Sequence, residues 1–227
     1  MKIVLDAGHG YSTLGKRTPD GMKEYEFNRA VALYVRDFLS GYTNLEVLFT
    51  HNDEQDVPLE VRTAKANELG ADCFLSIHAN AAGNGGWHEA EGIETFIHSS
   101  KPRDAQILAA EIQEKLITAT GRKNRGVKTA NFHVLRETRM TAVLVECGFM
   151  THKIESRLLK KEDYRTQCAQ SIAQSIVSHY ALTKNRQATA QKQKLYKVQV
   201  GAFSSKHRAE QLASELQRLG YDTFIVQ

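Results

Sequence analysis

The chain has 227 residues, 41% of them hydrophobic and 25% charged, with a formal net charge of +4. That balance describes an ordinary globular protein with one good-sized core and a small appendage. It excludes membrane insertion, since no run of about 18 apolar residues exists, and so mild a positive charge attracts anionic polymers without calling for nucleic acid.

"KIVLD" (2–6) reads as a strand that runs into the glycine turn "AGHG". No charged-then-apolar leader with a cleavage site is visible, so the expectation is synthesis in the cytoplasm without a signal peptide. Gly10 to Lys16 then fits the spacing of a phosphate-binding loop. Such a loop needs Ser or Thr after the lysine and a helix starting there. Here Arg17, Thr18, Pro19, Asp20 and Gly21 follow, which is turn chemistry, and the nucleotide reading fails.

Phe27, Ala30, Val31, Tyr34, Val35 and Phe38 form an apolar stripe at helical spacing. "LEVLF" (45–49) is the next strand; a helix opened by Pro58 and closed by Gly70 follows, then the strand "DCFLSIH" (72–78). "GIETFI" (92–97) is a strand, Pro102 and Gly121 bracket a third helix, and "TAVLVE" (141–146) is a fifth strand. A last helix spans about Asp163 to Tyr180, with Cys168, Ile172 and Ile176 on one face. This alternation predicts an α/β sheet with helices on both faces. Cys73, Cys147 and Cys168 show neither a paired framework nor metal spacing and read as buried, reduced thiols.

After Leu182 the texture changes. "TKNRQATAQKQK" (183–194) is a polar, basic linker. Residues 195–227 then read strand, helix, strand, with Ala209, Leu212, Ala213, Leu216 and Leu219 on one helix face and Gly220 as the stop. A βαβ-like unit of that size cannot bury a core alone.

The chemistry-bearing residues gather at strand ends. His9 follows the first strand, His78 ends the third and Glu146 ends the fifth, where open α/β sheets place their ligands. Glu24 lies three residues before Phe27, on the inward side of its helix, and a carboxylate on an apolar face is costly unless paired or bound to a cation. Two imidazoles and one carboxylate with an open fourth position suit a catalytic zinc ion, leaving Glu146 as a general base. Each residue also has a plainer reading: His9 as a turn residue, Glu24 as a partner of the helix dipole, Glu146 as one half of an ion pair with an arginine.

The segments "IVLDAGHG", "KEYEFN", "FLSIHANA" and "VLRETRMTAVLVECGF" together resemble the zinc-dependent N-acetylmuramoyl-L-alanine amidases of the Amidase_3 family, over residues 1–182. The resemblance implies a twisted, mostly parallel sheet flanked by helices on both faces. It implies one Zn2+ held by His9, Glu24 and His78, with Glu146 as the catalytic glutamate. Glu24 is preferred to Glu26 because the family glutamate stands four residues before an asparagine, here Asn28. Thr141 departs from the proline usual in relatives, a change in a turn before a strand. Residues 195–227 are similar to one half of a SPOR domain, a peptidoglycan-binding module built from two such halves.

The resemblance therefore implies hydrolysis of the amide between the muramic acid lactyl group and L-alanine, with peptidoglycan as the partner. A missing leader suits a phage endolysin or an autolysin that reaches the wall on lysis or through a holin. The unpaired half module suggests a homodimer through the tail. Another zinc peptidase of the cell wall and a non-catalytic wall-binding protein are the competing readings; the intact four-residue set speaks against the latter. His88 and His133 read as surface residues that would border a substrate groove at most, and Trp87 as a loop residue able to stack on a sugar.

Overall fold

The computed structural model describes residues 1–185, 200–218, 223 and 225. These fall in two compact units, Met1–Ala188 and Thr189–Gln227. In the first, strands β1 (Lys2–Ala7), β2 (Glu46–Phe49), β3 (Cys73–Asn80), β4 (Ile93–His98), β5 (Asn124–Ala130) and β6 (Thr141–Phe149) form one sheet in the order β2-β1-β3-β6-β4-β5. Strands β2, β1, β3 and β6 run parallel; β4 is antiparallel to β6 and parallel to β5. The five expected strands are all present, and the mostly parallel sheet is as expected. β5 is an addition: "NRGVKTA" has too few apolar residues to read as a strand, and as an edge strand it needs few.

Strand periodicity decides what each face carries. Ile3, Leu5, Ala7, Cys73, Leu75, Ile77, Val143, Val145 and Cys147 point to one face. There they meet α1 (Glu24–Leu39), α3 (Arg103–Thr120) and α6 (Glu162–His179). Val4, Phe74, Ala142 and Leu144 point the other way, against α2 (Leu59–Glu68) and α4 (His133–Arg136). Helices therefore cover both faces. A further short helix, α5 (Lys153–Leu159), follows β6.

Pro58 and Pro102 cap α2 and α3, and Gly121 ends α3 in the left-handed region at φ 63°. The α1 stripe differs from expectation in detail: Phe27, Val31, Ala32, Val35 and Leu39 are buried while Phe38 is exposed. α1 packs between the sheet and α6, and this turns its buried row toward Ala32 and Leu39. All three cysteines are free and buried, as their apolar settings suggested.

The chain stays tied to the first unit past Leu182: Asn185 N–H donates to Gly41 O at 2.8 Å and Thr43 N–H to Thr183 O at 3.0 Å. In the second unit α7 (Lys206–Arg218) is the expected helix, with Ala209, Leu212, Ala213 and Leu216 half-buried. Most of the two segments expected as strands beside it, most of the linker, and the expected helix-face Leu219 and stop Gly220 lie outside the described residues.

Candidate metal centre

Along the α2-side face, the apolar rows of β1, β3 and β6 turn polar as they approach the carboxyl edge. Val4 gives way to Asp6, Phe74 to Ser76 and His78, and Leu144 to Glu146. Register then fixes the neighbours: Asp6 lies beside Ser76, His78 beside Glu146, and Glu146 beside Glu94 of β4. β1 ends one residue before Gly8, whose N–H continues the ladder to Ile77 O at 3.0 Å. A Cβ at Gly8 would stand 2.0 Å from His78 Cε1, so only glycine lets the chain pass that ring. His9 follows with φ 65°, a left-handed conformation uncommon outside glycine, which turns its imidazole back over the sheet edge.

Glu24 arrives from the first turn of α1, a helix start fixed by Glu24 N–H donating to Lys16 O at 2.9 Å. Its Oε2 lies 3.2 Å from His9 Nε2 and its Oε1 2.9 Å from His78 Nδ1. Ala79 N–H and Asn28 Nδ2 also donate to Oε1, each at 3.2 Å. Glu26, by contrast, accepts from Lys23 N–H at 2.8 Å and caps the helix. One donor atom from each of His9, Glu24 and His78 lies within 4.8 Å of the others. The loop of Gly10 to Lys16 leads into a turn and not a helix, since α1 begins only at Glu24.

Burial acts to raise the Glu24 carboxyl, but hydrogen bonds from His78 and His9 outweigh it and hold the carboxyl well below its usual range. For His78, burial favours the neutral ring; the Glu24 carboxylate overrides it and raises the imidazole. Glu146 is the opposite case. Burial pushes its carboxyl up to about 8, opposed by His78 and reinforced by the negative charges of Glu24 and Glu94. Its Oε2 has no hydrogen-bond partner among the described residues. Arg125, through Nε at 2.6 Å, and Lys128 both pair with Glu94, while Lys16 acts on Glu146 only through its charge. Among the described residues no arginine forms an ion pair with Glu146.

These residues line a cleft of about 560 Å³. One wall is apolar, from Val57, Pro58, Leu59, Phe132, Val134 and Leu144, and Lys16 and His133 also face the space. Of the loop residues weighed from sequence, His133 thus belongs to the cleft. His88 is exposed and takes Ala90 N–H within its own loop at 2.9 Å. Trp87 lines a separate hollow with Asp20, Lys153 and Arg157.

A model of the family "N-acetylmuramoyl-L-alanine amidase" matches residues 3–178 of this chain. The chain belongs to that family. Its fold and cleft are therefore those of an amidase-family hydrolase. A SPOR domain model matches residues 161–227, overlapping the first match within α6. The chain is 35% identical over 227 residues to the N-acetylmuramoyl-L-alanine amidase CwlM of Bacillus licheniformis, covering 100% of this chain and 85% of that one. It is 33% identical over 191 residues to an endolysin of Bacillus phage SPP1, covering 84% and 70%. The catalytic domain of the amidase CwlV from Bacillus (Paenibacillus) polymyxa superposes with a TM-score of 0.73 at 34% identity, covering 80% of this chain and 99% of that domain.

The donor set suits zinc, for which two imidazoles and a carboxylate with an open position are a known arrangement. The family is a zinc-dependent one in general. Several groups at the site were not evident from sequence: Arg62, Ser76, Asn80 and Glu94. Ser76 did carry a signal, being a polar residue inside an apolar strand on the same parity as His78.

Proposed function

We propose that the protein hydrolyses the amide joining the lactyl carboxyl of muramic acid to the amino group of L-alanine in peptidoglycan, with His9, Glu24 and His78 holding one Zn2+ and Glu146 as general base. The observation that carries this reading is the approach of three donors to within 4.8 Å of one another beside a buried carboxyl oxygen that has no partner among the described residues. When bound, zinc supplies a Lewis acid that polarises the scissile carbonyl and lowers the pKa of water. Glu146 takes the proton of the attacking water and returns it to the leaving nitrogen. The C–N bond breaks to give a muramic carboxylate and a free L-alanine amine. The apolar wall around Pro58, Leu59 and Phe132 suits a small aliphatic residue next to the scissile bond. Mass analysis of digested sacculi tests the assignment: new L-alanine amino termini are expected, and a cut elsewhere in the stem peptide would sink it.

The tail is proposed to be a wall-targeting element. Although the SPOR match begins at residue 161, α6 is committed to the first unit, where Cys168, Ala169, Ile172 and Ile176 are buried. That supports residues 195–227 as a half module, joined by a linker over 183–194 to a catalytic domain over 1–182. Two chains would complete one module by symmetric pairing of their tails. Deleting residues 183–227 is expected to leave cleavage of soluble muropeptides unchanged while weakening binding to whole sacculi, and to convert a dimer in light scattering to a monomer. Equal sacculus binding would remove the targeting role, and a monomeric full-length chain would remove the dimer. The proposed setting is degradation of the bacterial cell wall. No described helix is long and apolar enough to cross a membrane.

A further inference from the structure

We propose that Ser76, oriented by Asp6 and Arg62, is a positioning residue that fixes the tautomer of His78 so that Nδ1 is the nitrogen offered to the metal. The inference rests on His78 being a metal ligand, as proposed above.

The polarity of the hydrogen bonds carries the argument. Arg62 and Asp6 are both buried, and Arg62 Nη1 lies 2.8 Å from Asp6 Oδ1, so the carboxyl is an anion paired with a permanent cation. Thr50 Oγ also donates to Oδ1, and Ser76 Oγ lies 2.7 Å from Oδ2. A carboxylate only accepts, so the single proton of the Ser76 hydroxyl is committed to Asp6. His78 Nε2 lies 3.1 Å from that same Ser76 oxygen. With its proton spent, the serine oxygen is an acceptor there, and Nε2 must be the protonated nitrogen. In the neutral ring Nδ1 is then bare, with its lone pair toward Glu24 Oε1 2.9 Å away. Two acceptors facing one another call for a cation or a proton between them. The chain Arg62–Asp6–Ser76–His78 thus prepares the ring for a metal at Nδ1.

The same arginine steadies the second imidazole. Arg62 Nη1 donates to Ala7 O at 2.7 Å and Nη2 to His9 O at 2.6 Å, on either side of Gly8. The left-handed backbone that aims His9 is therefore braced by the guanidinium that keeps Asp6 ionised. Partners behind metal-bound histidines commonly set ring orientation in this way, and their loss costs about 10- to 100-fold in metal affinity.

The test uses the whole protein, labelled with 15N at histidine and loaded with zinc. Long-range 1H–15N spectra are expected to show His78 protonated at Nε2 with the metal-shifted nitrogen at Nδ1. Ser76→Ala, a change that removes only one oxygen, is expected to weaken zinc binding about 10- to 100-fold against a competing chelator. Ser76→Thr, which keeps the hydroxyl, is expected to recover most of that loss. Metal at Nε2, or zinc affinity in Ser76→Ala equal to wild type, overturns the proposal. Wild-type protein that binds no zinc overturns the metal reading itself and the inference with it.

Discussion

Glu146→Gln is expected to lower kcat on soluble muropeptides about 100- to 10,000-fold, the usual cost of losing a general base, with zinc content per chain unchanged. Glutamine keeps the shape of the side chain and removes its ability to accept a proton. The residue sits in register with His78 but contributes no donor to the cluster of His9, Glu24 and His78. Loss of zinc from the variant would make Glu146 a ligand and displace Glu24 from that role.

A second readout of the same variant separates chemistry from folding. In metal-free protein the Glu146 carboxyl is raised from 4.5 to about 8, so between those values the folded state keeps a proton that the unfolded state releases. Stability then falls as pH rises across that window, because the native state binds more protons than the unfolded one. Glutamine carries no such penalty. The melting temperature of metal-free Glu146→Gln should therefore exceed that of metal-free wild type by a margin that grows from about pH 4.5 to about pH 8. A margin independent of pH would mean that burial does not raise the Glu146 carboxyl. Binding a cation beside it shifts the balance toward the carboxylate, the form a base requires.

The parts of the fold legible in the sequence were those with strong periodicity. β1, β3 and β6 are apolar runs because helices cover both of their faces, and α2 and α3 carry proline at one end and glycine at the other. β5 was not legible, since an edge strand reading "NRGVKTA" is held by β4 and not by apolar content. α4 and α5, of four and seven residues, are too short to show a period. At the site, the placing of His9, His78 and Glu146 near the carboxyl ends of strands was visible, although β3 and β6 run two and three residues beyond His78 and Glu146; their convergence was not. Choosing Glu24 over Glu26 needed a family resemblance. The structure supplies a physical reason: Glu26 is spent on Lys23 N–H while Glu24 turns inward between two imidazoles. Arg62 was invisible for a different reason. A buried arginine looks like any helical surface residue until the anion it serves, Asp6, is placed beside it.

Removing the metal is expected to abolish activity, and added zinc to restore it. His9→Ala and His78→Ala are each expected to lose bound zinc, since two remaining donors make a poor site. Full turnover by chelator-stripped protein would sink the zinc mechanism. The structure adds a sign to the pH dependence. Without a cation, the Glu24 carboxylate is satisfied by the two imidazoles, and this raises His78 above an ordinary histidine. That proton must leave before Nδ1 can bind a metal, so protons and zinc compete for the same ring. Zinc affinity should rise with pH through the raised His78 titration and level off above it. Below it, affinity should drop by about tenfold per pH unit for each proton displaced. Calorimetry in buffers of different ionisation enthalpy counts those protons directly. At a pH below the His78 titration, proton release on zinc binding is expected. No release would mean that the imidazole is already neutral beside Glu24, and that the pair which keeps Glu24 ionised in the metal-free protein is not an ion pair.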